Sequence, residues 1–229
     1  MKKTIIAIAV LGAVGLSAYG QGTVAWANSN GTKVSTNSVV GGAATGAVNA
    51  SGTAGGINFY YTLFYSTTQT SVAGNTAALV GNTGTYAFNA SGWTDGLGTG
   101  NYGTNAAAGR IQSSNPNADG STSLAGIAGG TAANWVVVAW SANIGSTISA
   151  LQSYLANNGP MVNGWVGESV VGSGSPGTLG STPAGGIFGA SSPFIPGFTA
   201  GLVVPVPEPG TLALAALGGA SLLLFRRKK

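Results

Sequence analysis

Apolar positions in this chain recur at two spacings, separated by long polar stretches rich in glycine. Ile57, Phe59, Tyr61, Leu63 and Tyr65 share one face of an alternating run, while Asn58, Tyr60, Thr62, Phe64 and Ser66 share the other. That period of two predicts a strand over Ile57–Ser66 with one drier face. Further strands are predicted at Thr23–Ala27, Thr85–Asn89, Trp135–Ala142 and Trp165–Val171. Each is rich in aromatic or β-branched residues and bounded by Gly, Asn or Ser. Trp135-Val136-Val137-Val138-Ala139-Trp140 is apolar on both faces, as a central strand covered on each side must be. One segment changes period: after Ser146, Ile148, Leu151 and Leu155 fall at helical spacing. Ser146 is the expected cap, and Asn158-Gly159-Pro160 the stop, of a helix of two or three turns. The stretches 41–56, 92–108, 115–131 and 172–201 read as loops or linkers. No internal repeat stands out.

The fold expected from this pattern is mainly β: an antiparallel, jelly-roll-like β-sandwich with one short helix, flanked by two membrane-directed ends. At the N-terminus, Lys2 and Lys3 precede an apolar run, Ile5 to Leu16, and then the small-residue stretch Ser17-Ala18-Tyr19-Gly20. This is the layout of a cleaved signal peptide, residues 1–20, with the cut between Gly20 and Gln21. At the other end, Gly210–Phe225 is uncharged and rich in Leu and Ala, and Arg226, Arg227, Lys228 and Lys229 close the chain. As a helix, residues 210–225 reach about 24 Å, and snorkelling by the basic cluster lengthens that to a transmembrane span. Between the ends the expected domains are a β-sandwich body, 21–172, and a Gly/Pro/Ser-rich linker, 173–205. Residues 206–229 form the tail.

Removing the ends changes the meaning of the charge. The whole chain carries 8 basic and 4 acidic residues, yet Lys2, Lys3 and the four terminal cations belong to the two ends. Between Gln21 and Val206 the charged side chains are Lys33, Asp95, Arg110, Asp119 and Glu168. Two isolated cations cannot form the basic stripe that nucleic acid requires, so no nucleic-acid partner is expected. Cysteine and histidine are both absent, which excludes thiol chemistry, zinc sites of the usual kinds and any triad using His.

What remains is sparse as chemistry. Asp95, Asp119 and Glu168 could supply an acid and base pair for glycoside cleavage, but their spacing brings no two together; solvated loop or strand-surface carboxylates are expected. Asn115, Asn117 and Asp119, followed by Gly120, resemble the first half of a calcium loop. The position where such a loop ends in a bidentate Glu is Gly126, so a weak calcium turn competes with a plain polar turn, and no metal or cofactor is required. Trp26, Trp93, Trp135, Trp140 and Trp165, with Tyr60, Tyr61 and Tyr65, could line a sugar-binding face or pack in the core. No enzymatic activity is expected.

The C-terminal order is the most specific motif. Pro207-Glu208-Pro209, a short apolar helix containing Gly218-Gly219, and the Arg226–Lys229 stop closely resemble the PEP-CTERM sorting signal of exported bacterial proteins. The resemblance implies recognition by exosortase, a membrane-embedded cysteine protease of Gram-negative bacteria that also make exopolysaccharide. It further implies transient anchoring in the inner membrane, cleavage near Pro207-Glu208-Pro209, and delivery to the cell surface or extracellular matrix. Gly210 stands where many members carry Ser or Thr. The expected role of the body is structural and non-catalytic, with an exopolysaccharide-binding surface module as the alternative.

Overall fold

A computed structural model of the chain describes residues 20–39, 46–47, 58–73, 79–80, 85–98, 101–107, 109–156, 162–180, 183–204 and 217–218. The expected signal segment before Gly20 and the expected transmembrane helix, apart from Leu217 and Gly218, lie outside these residues. Among the described residues, no helix is long and apolar enough to cross a membrane.

Among the described residues the structure is mainly β, with strands in two sheets and an α-helix packed on one of them. In chain order the elements are β1 (Gln21–Ala25), β2 (Ser35–Thr36), β3 (Gly46–Ala47), β4 (Phe59–Ser66), β5 (Leu79–Val80), β6 (Thr94–Asp95), β7 (Gly103–Ala107) and β8 (Arg110–Gln112). They continue with β9 (Thr122–Ala128), β10 (Ala133–Ser141), α1 (Ile148–Ala156), β11 (Gly164–Glu168), β12 (Gly172–Gly174), β13 (Gly177–Thr178), β14 (Gly185–Gly186) and β15 (Thr199–Val203). The larger sheet runs β3-β2-β15-β11-β10-β4-β7-β8, with β12, β5 and β6 paired to β10, β11 and β4. The smaller runs β13-β1-β14, with β9 also on β1. Most pairings are antiparallel, as expected. The short pairs β1–β14 and β15–β2 are parallel, an arrangement that the long connections between those segments allow and a hairpin would not.

The continuous apolar run does form the central strand. β10 pairs with β4 from Asn134↔Ser66 to Ser141↔Phe59, and with β11 and β12 on its other edge. Its alternate side chains enter two different apolar clusters. Trp135, Val137 and Ala139 pack with Val24, Leu124 and Ile127 of the smaller sheet. Val136, Val138 and Trp140 pack with Leu151 and Tyr154 of α1. A strand covered on both faces needs apolar residues at every position, which is why its sequence does not alternate. Each valine of the run is fully buried and contributes roughly 1.5–3 kcal/mol relative to an exposed position. Aromatic pairs brace the same strand from β4: Tyr65 and Trp135 lie 6.3 Å apart, Tyr60 and Trp140 5.8 Å.

Helix α1 buries Leu151 and Tyr154, with Ile148 and Leu155 half-buried. Its cap is Thr147, one residue later than expected: the Thr147 hydroxyl accepts from the N–H of Ala150, the third helical residue.

Several segments expected to be irregular are strands. β6, β7 and β9 occupy stretches expected as loops. Leu124 and Ile127 of β9 reach the core, and Gly126, at φ 78°, takes up a local irregularity. The expected linker after residue 172 is a larger departure. β13 and β14 flank β1, β15 pairs with β11 and β2, and Ile187, Ile195, Phe198, Ala200 and Val203 are buried. Glycine-rich strands of this kind hold place through backbone hydrogen bonds and close approach, neither of which shows as side-chain alternation. The body thus extends through Val204. Conversely, Thr85–Asn89, expected as a strand, contains a 3-10 turn over Ala87–Asn89, because the Ala87 N–H is drawn to the Glu168 carboxylate and Ala90 N–H to the Ala87 carbonyl.

Candidate functional site

The three carboxylates of the body each accept hydrogen bonds, but only Glu168 is buried. Glu168 ends β11, where it lies beside Val138, which in turn faces Thr62 of β4. Cross-strand partners share a face, so Glu168 points with Val138 towards the helix side of the sheet. There it is fully buried and accepts from the Ala87 N–H. The expectation of a strand-surface carboxylate is therefore corrected for Glu168: the turn at 85–90, distant in sequence, closes over it. Next to it, burial pushes the Tyr86 phenol above its ordinary range, and the negative charge of Glu168 pushes it further.

Asp95, on β6, accepts from the Thr62 hydroxyl at 2.8 Å and from the N–H groups of Leu97 and Gly98 at 3.1 and 3.3 Å. It thus caps the turn that leads away from its own strand. Asp119 is exposed in the turn before β9. Its Oδ1 accepts from the Ser121 hydroxyl at 2.6 Å and the Ser121 N–H at 2.9 Å, and the hydroxyl bond above all holds its carboxyl below the usual range. Asn117, in the same turn, donates to the hydroxyls of Ser121 and Ser123. The Asn115 N–H bonds the Ser113 hydroxyl. Of the three residues considered for calcium, Asn117 and Asp119 thus spend their side chains within their own turn. Among the described residues no three carboxylate-type ligands gather.

The aromatic residues divide sharply. Trp26, Trp135, Trp140 and Trp165 are buried, as are Tyr61 and Tyr65. Trp140 and Trp165 donate their indole N–H groups to the carbonyls of Gly145 and Asn37. These are core residues and line no exposed face. Trp93 differs: it is half-buried, with its N–H on the Ser71 carbonyl at 3.4 Å. It borders a shallow groove of about 420 Å³ together with Gln69, Ser71, Thr85, Asn89 and Ser91. A second groove, about 450 Å³, lies at the start of β1 beside Gln21 and Ile127. The polar residues around Trp93 were not singled out from sequence, since they come from two stretches, 69–73 and 85–93, that only the fold brings together.

Gly20 and Gln21, the expected signal cleavage site, sit at the threshold of β1: Gly20 is exposed and Gln21 is the first strand residue. A cut there leaves β1 whole. Pro207, Glu208, Pro209 and the stop residues Arg226, Arg227, Lys228 and Lys229 lie outside the described residues. Their identity rests on sequence, and a family model, the PEP-CTERM protein-sorting motif, matches residues 205–228. The match begins two residues after β15 ends at Val203, so the sorting element and the last core strand do not overlap. No curated protein and no solved structure matches the chain.

Proposed function

Taking as premise that the chain is a PEP-CTERM protein, an exported exosortase substrate associated with the membrane before release, we propose that its body is a non-catalytic component of the cell surface or extracellular matrix. In this reading residues 1–20 are removed as a signal peptide, residues 210–225 span the inner membrane during sorting, and exosortase cuts near Pro207-Glu208-Pro209. The body that emerges is a β-sandwich-like unit reaching from Gln21 to Val204, with the smaller sheet on one face of β10 and α1 on the other.

The observation that supports a structural role is the state of the three carboxylates. An acid and base pair for hydrolysis must face a substrate cleft. Glu168 is sealed beneath the turn at 85–90, Asp95 caps its own turn, and Asp119 is engaged by Ser121. The body also carries few charges to repel neighbours, which suits packing against a hydrated polymer.

Intact mass of the protein recovered from producing cells, combined with fractionation, tests this. We expect a species that begins at Gln21 and ends near Pro209, found with the surface or matrix fraction. A species still ending at Lys229 in the inner membrane overturns the sorting step. Glu208→Ala should accumulate full-length, membrane-retained protein; unchanged processing would remove the triplet as the recognised element.

A further inference from the structure

We propose that the groove beside Trp93 binds one sugar residue of a neutral polysaccharide. The groove volume, about 420 Å³, lies within the range of small-ligand sites, roughly 300–1,000 Å³. Its lining has the two chemistries a pyranose needs. A sugar ring presents a face of C–H groups, slightly positive, which packs on the electron-rich face of an indole. Its equatorial hydroxyls then require hydrogen-bonding groups around the edge, since a hydroxyl removed from water without a partner is costly.

Trp93 supplies the ring: half-buried against the helix-side cluster and with its N–H spent on Ser71, it meets the groove through its aromatic surface. Gln69, Ser71, Thr85 and Ser91 supply amide and hydroxyl groups whose side chains no hydrogen bond among the described residues engages as donors. Asn89 Oδ1 accepts from Gln152 of α1 at 3.2 Å, which anchors that amide and leaves its NH2 to donate. Gly92, at φ 83°, lets Gln69 lie against the turn: a Cβ there would come within 2.8 Å of Gln69 Cγ. The turn therefore brings the Gln69 side chain against Gly92, the residue before Trp93.

Charge narrows the ligand class. None of the groove's lining side chains is charged, and the neighbouring Asp95 is engaged by Thr62 and two backbone N–H groups. A uronate or a phosphorylated sugar would lose hydration without gaining a counter-charge. The groove beside Gln21 is of similar size and also uncharged, but no aromatic ring lines it. The inference relies on the surface reading for access to polysaccharide outside the cell, but the site itself can be tested apart from export.

The test is titration calorimetry of the purified full chain in mild detergent against linear hexasaccharides: cello-, laminari-, manno-, malto- and xylohexaose, with hexagalacturonate as the charged probe. Saturable binding of at least one neutral member is expected. Trp93→Ala should weaken it about ten-fold or more, while Trp93→Phe, which keeps a ring, should stay within about three-fold. Gln69→Ala should weaken it several-fold by removing a rim partner, about the worth of one hydrogen bond. Gln21→Ala, at the other groove, should change nothing. Thermal unfolding of each variant establishes that it is folded; should Trp93→Ala fail, Gln69→Ala decides. Binding of no neutral probe, binding that survives loss of the ring or rim, or tighter binding of hexagalacturonate each overturns the site. Failure here with normal export leaves the surface reading standing; sugar binding with failed export does the reverse.

Discussion

Asn28 is the residue whose loss should most clearly expose how the two sheets are joined. It follows β1 of the smaller sheet, is 2% exposed, and bonds across to the β7–β8 hairpin of the larger one. Its Nδ2 donates to the carbonyls of Thr32 at 2.7 Å and Gly109 at 2.9 Å, while its Oδ1 accepts from the Ile111 N–H at 2.7 Å. Asn28→Ala removes all three. The Gly109 carbonyl retains the Val34 N–H at 3.0 Å, so its loss costs little more than one ordinary bond. The Ile111 N–H loses its buried acceptor, which carries the full desolvation penalty. One orphaned donor at about 1–3 kcal/mol and two ordinary bonds at about 0.5–1.5 kcal/mol each give a destabilisation near 3–4 kcal/mol. With a urea m-value of about 2 kcal/mol/M, the midpoint should fall by about 1.5–2 M, followed by tryptophan fluorescence of the full chain in mild detergent. Asn28→Asp refines the test. It keeps the acceptor for Ile111 but turns a carboxylate oxygen towards two carbonyls, and only the protonated form restores a donor. The folded state then binds the proton more tightly than the unfolded one. The variant's deficit should shrink below about pH 3.9, the ordinary aspartate value, and grow as pH rises through the higher folded value. A midpoint shift under about 0.3 M for Asn28→Ala, or a pH-independent deficit for Asn28→Asp, would refute the proposed tie.

Two further predictions bear on the same body. Gly167→Ala places a Cβ 2.5 Å from the Thr199 carbonyl oxygen and 2.7 Å from Ala200 Cα, both backbone atoms that cannot swing aside. It should destabilise by about 2 kcal/mol in urea unfolding, and a neutral result would detach β15 from the folded body. Ser121→Ala removes the main bond that lowers the Asp119 carboxyl but leaves the backbone N–H bond. The Asp119 titration followed by NMR should therefore move part of the way back up to its ordinary value. Because the folded carboxyl titrates below the unfolded one, its contribution to stability is present above about pH 3.9 and is lost as pH falls through the folded value. An unmoved titration would contradict the assigned cause.

The legibility of this chain followed the range of the interactions involved. β10 and β4 could be read because burial on one or both faces is written in adjacent residues. The helix could be placed to within a residue of its cap for the same reason, although Thr147 and Ser146 differ only in which hydroxyl reaches Ala150. β13, β14 and β15 could not. Gly is their commonest residue, with Thr, Ala, Leu and a single Val beside it, and their stability comes from pairings such as Val24↔Gly185 and Trp165↔Leu202. The Leu202 N–H on Asn37 Oδ1 joins residues 165 apart, a distance over which no local pattern carries information.

The candidate site divides along the same line. The sorting tail is decided by sequence alone, because one contiguous segment, residues 205–228, carries the match to the PEP-CTERM protein-sorting motif. The near-neutral charge of the body and its lack of thiol and imidazole were equally set by composition. Tertiary structure alone decided that Glu168 is buried under a turn from 81 residues earlier in the chain, and that four of the five tryptophans are core while Trp93 borders a groove. Exposure is a property of what packs over a side chain, and in this fold the covering residues come from the far side of the sequence.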